Sequence, residues 1–244
     1  MQKGNAFWFI LLAIFLLGGL TAMLARSGNN TDDTGSTESD NIAASELLSY
    51  AATLQNGVNM LVQRGCSENQ LSFWNDSNAD GTEDSSDFYY NTNSPTDRSC
   101  HIFRPEGAGI PQKDLSKYLV STTNTSKGWN NVANTSFGAH VTGQMSVTDI
   151  GSNGNTELLF THHNIKSSYC KELNKILGIS SSTIPIDGGY FHQNKFVGPY
   201  VQYDVGASIG NGAGGESLIF KGKKAGCYDN SASTYGLYYV LLAR

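Results

Sequence analysis

The stretch AFWFILLAIFLLGGLTAMLA, Ala6 to Ala25, is twenty residues without a charge, set between Lys3 and Arg26. As a helix rising about 1.5 Å per residue it would be roughly 30 Å long, the thickness of a bilayer's hydrocarbon core. Leu, Ile and Phe dominate it, and each favours insertion by roughly 0.3–0.6 kcal/mol near the centre of a span. The run is therefore expected to span a membrane or to be packed all round by copies of itself. A cleaved signal peptide is the alternative, against which Met23-Leu24-Ala25 is a poor small-x-small site. Residues 1–26 are read as a transmembrane or filament-core helix, and everything beyond Arg26 as a domain hung from it.

Immediately outward, Ser27 to Asn41 (SGNNTDDTGSTESDN) has no apolar residue. It reads as a polar linker or a melted helix segment over 27–41. From Ile42 the pattern becomes helical: Leu47, Ala51, Leu54, Val58 and Leu61 recur every three or four residues, which makes one apolar stripe. Ser39 to Asn41 offers N-caps, and Gly65 a C-terminal stop directly before Cys66.

Four cysteines, Cys66, Cys100, Cys170 and Cys227, all lie beyond the hydrophobic run. An even number in an exported domain reads as two disulfides, with three connectivities open. The sequential pairing, Cys66–Cys100 and Cys170–Cys227, is favoured because it brackets separate halves of the domain. No C-x-x-C occurs to support zinc or thioredoxin-like chemistry. The charge flanking the run is nearly balanced, so the cysteines set the orientation: the domain is expected in an oxidising compartment. The formal net charge is -5, with the basic residues scattered, which is no footprint for nucleic acid.

Further along, Val141 to Ile150 and Glu157 to Thr161 flank Ser152-Asn153-Gly154-Asn155, a hairpin signal. Ile165 to Leu177 reads as a second amphipathic helix ended by Gly178. Tyr200–Val205, Ser217–Phe220 and the terminal Tyr235–Leu242 read as strands. The expected fold class is α+β, with the N-terminal transmembrane or filament-core helix followed by an amphipathic helix packed on a mixed antiparallel sheet within residues 42–244.

The sharpest chemical motif is DSNADGTEDSSD, Asp76 to Asp87. It fits the calcium-loop template: Asp76, Asn78 and Asp80 at the first, third and fifth positions, Gly81 at the turn, then Thr82, Asp84 and Asp87. Hard divalent cations take six or more oxygens, and five acidic residues in twelve otherwise repel one another. The stretch resembles the calcium loops of dockerin-type modules, which close on Asp, and the expectation is a lone structural calcium loop. A solvated acidic turn is the plain alternative. His162-His163, with His101, His140 and His192, shows no i, i+4 metal pair and is read as surface or core. Gly210–Gly215 opens no helix and reads as a loop. Neither a Gly-x-Ser-x-Gly elbow nor a catalytic triad spacing occurs, so the chain does not read as an enzyme.

A hydrophobic N-terminal run, an amphipathic helix ending at Gly65-Cys66 and a disulfide-bearing β domain together resemble type IV pilin-like proteins and pseudopilins. Lys3-Gly4 before the apolar run looks like their short leader, with Gly4 at the peptidase position. Phe9 stands where most such subunits carry Glu, and Ser27–Asn41 interrupts what is usually one long helix. The chain also resembles a family of alphaproteobacterial single-anchor proteins through NSPTDRSCHIF (Asn93 to Phe103), the following Gly-x-Gly and Ala225 to Cys227. The resemblances imply a structural subunit of an extracellular or periplasmic filament, self-associating through the N-terminal helix, meeting the membrane and secretion or pilus assembly machinery. A monomeric membrane-tethered binding module is the other expectation.

Overall fold

A computed structural model describes residues 31–76, 80–123, 125–130, 138–152, 155–179, 181–187, 194–201, 208–212, 217–230 and 233–244, with the backbone alone over 31–36. The chain divides into two compact units, Met1–Ile42 and Ala43–Arg244. Helix α1 spans Thr31–Gln63 as one 33-residue element and carries residues of both. This corrects the expected fold. Residues 31–41 are helix where a linker was expected, and no helix among the described residues is long and apolar enough to cross a membrane. The run Ala6–Ala25, the Lys3-Gly4 leader and Ser27–Asn30 lie outside the described residues. The physical reason for the correction at 31–41 is that polarity does not break a helix. That stretch has no proline, and a helix already nucleated downstream propagates by one hydrogen bond per residue fixed.

The stripe Ala44, Leu47, Ala51, Leu54, Val58 and Leu61 is fully buried. At its end Cys66 N–H donates to Leu61 O (3.1 Å) and Gly65 N–H to Val62 O (3.0 Å). This is a Schellman cap with Gly65 at φ 100°, a conformation that glycine adopts without a Cβ clash.

The strands are β1 (Thr125–Ser126), β2 (Trp129–Asn130), β3 (Gly138–Val147), β4 (Glu157–Ile165), β5 (Ser208–Ile209), β6 (Ala225–Asp229) and β7 (Tyr235–Leu242). They form one mixed sheet in the order β1-β2-β3-β4-β7-β6, with β5 on β3; the β2–β3 and β3–β5 pairs are parallel and the rest antiparallel. The expected β3–β4 hairpin forms, although its Asn153-Gly154 turn lies outside the described residues. Helix α2 (Ser167–Ile176) follows β4. Ser217–Phe220, expected as strand, instead holds a 3-10 turn at Leu218–Phe220 whose Ser217 side chain accepts from Ile219 N–H. Residues 202–205 of the expected Tyr200–Val205 strand lie outside the described residues.

Alternation divides the sheet into two buried faces. Val141, Leu158, Phe160, Leu237 and Leu241 join the stripe of α1 in the main core. Tyr50 from α1 sets its ring edge-on to Phe160 and Trp129, with centroids 6.3 and 6.4 Å away. Met145, Val147, Leu159, Tyr238 and Val240 build a second core with Ile179, Ile209 and Phe220 on the opposite face. Leu54→Ala is expected to cost about 3 kcal/mol, from lost burial and the cavity left behind, whereas exposed Thr53→Ala stays within about 0.5 kcal/mol. Urea unfolding of the oxidised chain measures both.

Candidate functional site

The disulfides are Cys66–Cys100 and Cys170–Cys227, closing sequence separations of 34 and 57 residues, with no free cysteine. The sequential pairing is therefore the one present, and each bridge contributes roughly 4 kcal/mol by loop closure. Two disulfides and no thiol place the domain in a non-cytoplasmic, oxidising environment.

The acidic loop is turned in on itself. The carboxylate of Asp76 accepts from the N–H groups of Asp80 (3.1 Å) and Gly81 (3.0 Å). That of Asp80 takes the N–H and hydroxyl of Thr82 (2.8 and 2.6 Å), and Asp84 those of Ser86 (2.7 and 2.6 Å). These bonds hold the Asp84 carboxyl below its ordinary range, its serine partner being the main cause. Asp87 is buried and accepts from the indole N–H of Trp74 at 2.7 Å. Asn78 lies outside the described residues. Among the described residues no three His, Cys, Asp or Glu side chains are grouped to hold a metal ion. The calcium assignment is thereby corrected: Asp80 and Asp84 close Asx turns on Thr82 and Ser86, Asp76 ties down the N–H groups of Asp80 and Gly81, and Asp87 serves the core.

The loop is also pinned to the stretch Asn93–Phe103. Glu83 pairs with Arg98 (Nε–Oε2 3.2 Å) and approaches His101 Nε2 at 3.3 Å. Burial, joined by the Arg98 and Arg104 guanidiniums, pushes His101 down to about 4, so that approach is a polar contact of a neutral ring. Burial raises Glu83 despite Arg98. Arg104 lies 4.0 Å over the Trp74 ring and Arg98 5.2 Å from it, two cation–π contacts to one indole. Gly107 is required here, because a Cβ on it would lie 1.9 Å from His101 O. Sequence reading missed this cluster; Arg98, His101 and Arg104 at three-residue intervals are its only local trace.

His140, His162 and His163 are core residues. His162 and His163 are both fully buried and point to opposite faces, as strand alternation requires. His162 reaches Leu115 O (3.3 Å), and burial depresses it to about 4. His163 stacks on His140 with centroids 5.0 Å apart, and His140 Nε2 meets the Thr161 hydroxyl at 3.1 Å. His192 lies outside the described residues, as do 213–215 of the glycine cluster.

Two surface cavities stand out. One, of about 440 Å³, is lined by Lys171, Glu172, Asn174, Lys175 and residues 178, 179 and 181–184; the other, of about 420 Å³, by Glu68, Asn69, Tyr200 and Arg244 among others. In the second, Arg244 stacks 3.8 Å over Tyr200 and its Nε donates to Glu68 Oε2 at 2.6 Å. The buried histidines line neither. No known protein family, curated protein or solved structure matches the chain.

Glu157 is a separate signal. It is fully buried, one oxygen accepts from Val147 N–H (2.8 Å), the other has no hydrogen-bond partner, and burial raises the carboxyl to about 7. A raised carboxyl stabilises the fold while protonated, so its contribution is present below the unfolded value and lost as pH rises through 7. His101 and His162 act oppositely, losing stability as pH falls below 6.5 toward 4. Below pH 7 the two histidines outweigh the one carboxyl, so stability is expected to rise to a plateau near neutral pH. Glu157→Gln, which removes the opposing carboxyl, is expected to steepen that rise by about 2 kcal/mol relative to the wild type between pH 5 and 8, in urea titrations across pH. Asp87→Ala, which strands the Trp74 indole N–H, is expected to cost roughly 1–3 kcal/mol, and chelator to leave the wild-type melting temperature unchanged.

Proposed function

We propose that this chain is a structural subunit of a pilin-like filament, working in the periplasm or on the cell surface by self-association and not by catalysis. The observation that carries the reading is the unbroken course of α1 from Thr31 to Gln63. A polar linker would favour a tethered monomeric module, because a loose tether gives neighbouring copies no fixed surface. A helix through residues 31–41 removes most of that interruption and supports packing of copies along a common axis. The disulfide-bonded domain, with its helix seated on an antiparallel sheet, suits a subunit that must persist outside the cytoplasm. The uncharged run Ala6–Ala25 supplies apolar surface for association between copies and for meeting the membrane and the assembly machinery.

The test uses the full chain in its own cells. Electron microscopy with antibody against the domain is expected to show labelled filaments, absent when the chain is deleted. Glu38, exposed within α1, lies ahead of the buried stripe. Proline there removes one helix hydrogen bond and clashes with the preceding turn. Glu38→Pro is expected to abolish filaments while both disulfides and the melting temperature persist. Unlabelled cells, or filaments unaffected by Glu38→Pro, would leave the tethered binding module as the better reading.

A further inference from the structure

Among the described strands β6 ends the sheet, beyond β7. The outward backbone groups of an edge strand are a template for pairing with another chain, and folded proteins block them. Along β6, alternate residues turn their N–H and C=O away from β7. At Asp229 those groups are taken by a passing segment: Asp229 N–H donates to Pro185 O and Asp187 N–H to Asp229 O, both at 2.9 Å. At Cys227 they are taken by a single side chain. Cys227 N–H donates to Asn174 Oδ1 (2.9 Å), and Asn174 Nδ2 donates to Cys227 O (2.7 Å). A carboxamide presents one donor and one acceptor side by side, as a peptide group of a neighbouring strand would.

Its placement is built in. Cys170 and Asn174 stand four residues apart and share one face of α2. The Cys170–Cys227 bridge fastens that face to β6, so one residue of the sheet holds the disulfide through its side chain and the carboxamide through its backbone. Asn174 is 5% exposed and sits in the wall of the 440 Å³ groove that α2 forms with residues 178, 179 and 181–184. No residue of β6 lines that groove, and Asn174 alone reaches from its wall to the edge.

We propose that Asn174 is an edge plug: its carboxamide stands in for a neighbouring strand at Cys227 and shuts β6 against strand addition by a second copy of this chain. The inference is independent of the filament reading. It makes β6 a surface through which copies are prevented from joining, whatever surface they use.

The experiment compares the purified full chain and its Asn174→Ala and Asn174→Asp variants in mild detergent, by amide hydrogen exchange and light scattering over a concentration series. In the wild type the Cys227 amide is expected to exchange slowly, although it lies on an edge. In Asn174→Ala that amide is expected to exchange at least about tenfold faster, with concentration-dependent growth in size. Asn174→Asp keeps the acceptor but sets an anionic oxygen against Cys227 O, so the amide should stay protected while association appears. Fast exchange at Cys227 in the wild type would overturn the proposal without any variant. So would an Asn174→Ala chain that melts lower but keeps the wild-type size at every concentration, since a merely structural asparagine would behave that way. Should Asn174→Ala fail to fold, the wild-type exchange rate and the Asp variant decide.

Discussion

Everything in the domain depends on the apolar stripe of α1 lying against one face of the sheet. Ala44, Leu47, Ala51, Leu54, Val58 and Leu61 are each fully buried there, and Tyr50 sets its ring edge-on against both Phe160 and Trp129. Polar bonds fix the register of helix on sheet: Gln55 Nε2 donates to Val240 O at 3.0 Å, and its Oε1 accepts from the Tyr239 hydroxyl at 3.2 Å. Gly57 lets the chain at Ile110 press onto the helix, since a Cβ would lie 2.3 Å from Ile110 Cδ1. Small residues on the stripe thus admit the loops that close the core, and large ones fill it.

The two disulfides hold what this packing leaves open. Cys66 follows the helix cap and ties the helix end to the Asn93–Phe103 stretch, whose Arg98 pairs with Glu83 of the acidic loop. Cys170–Cys227 ties α2 to the sheet edge, where the outward peptide groups are then covered. In both places a covalent link shortens the reach of a non-covalent one. Glu83 bonds to Arg98, two residues from Cys100, and Asn174 bonds to the backbone of Cys227 itself.

The acidic loop shows how a charge cluster is met by donors of its own chain. Its carboxylates accept from nearby N–H and hydroxyl groups, which at Asp84 favours the charged form. Arg98 and Arg104 lie close by over Trp74, and the one carboxylate driven into the core, Asp87, meets the indole N–H. A ligand template and a set of Asx turns ask for the same residues, Asp and Asn at alternate positions ahead of a glycine. The motif therefore could not separate the two from residue types alone.

Some of this architecture is local and was legible in the order of residues. The stripe from Leu47 to Leu61, the Gly65 stop and the strand Tyr235–Leu242 each follow from periodicity or from spacing within one element, and the sequential cysteine pairing is favoured because it brackets separate halves of the domain. The sequence also marked the histidines as opposed on a strand, because alternation is a property of the backbone. What only the tertiary structure decided involves partners far apart in the chain. Residues 31–41 looked like a linker because an exposed helix needs no apolar pattern, and its helicity is propagated from a packed segment downstream. The second face of the sheet is covered by residues near 179, 209 and 220, which no strand pattern reveals. Asn174 closes an edge fifty-three residues away, and Asp87 is buried by Trp74 across thirteen. A hydrogen bond of this kind is set by where the fold brings two groups together, and that position is written in no short stretch of sequence.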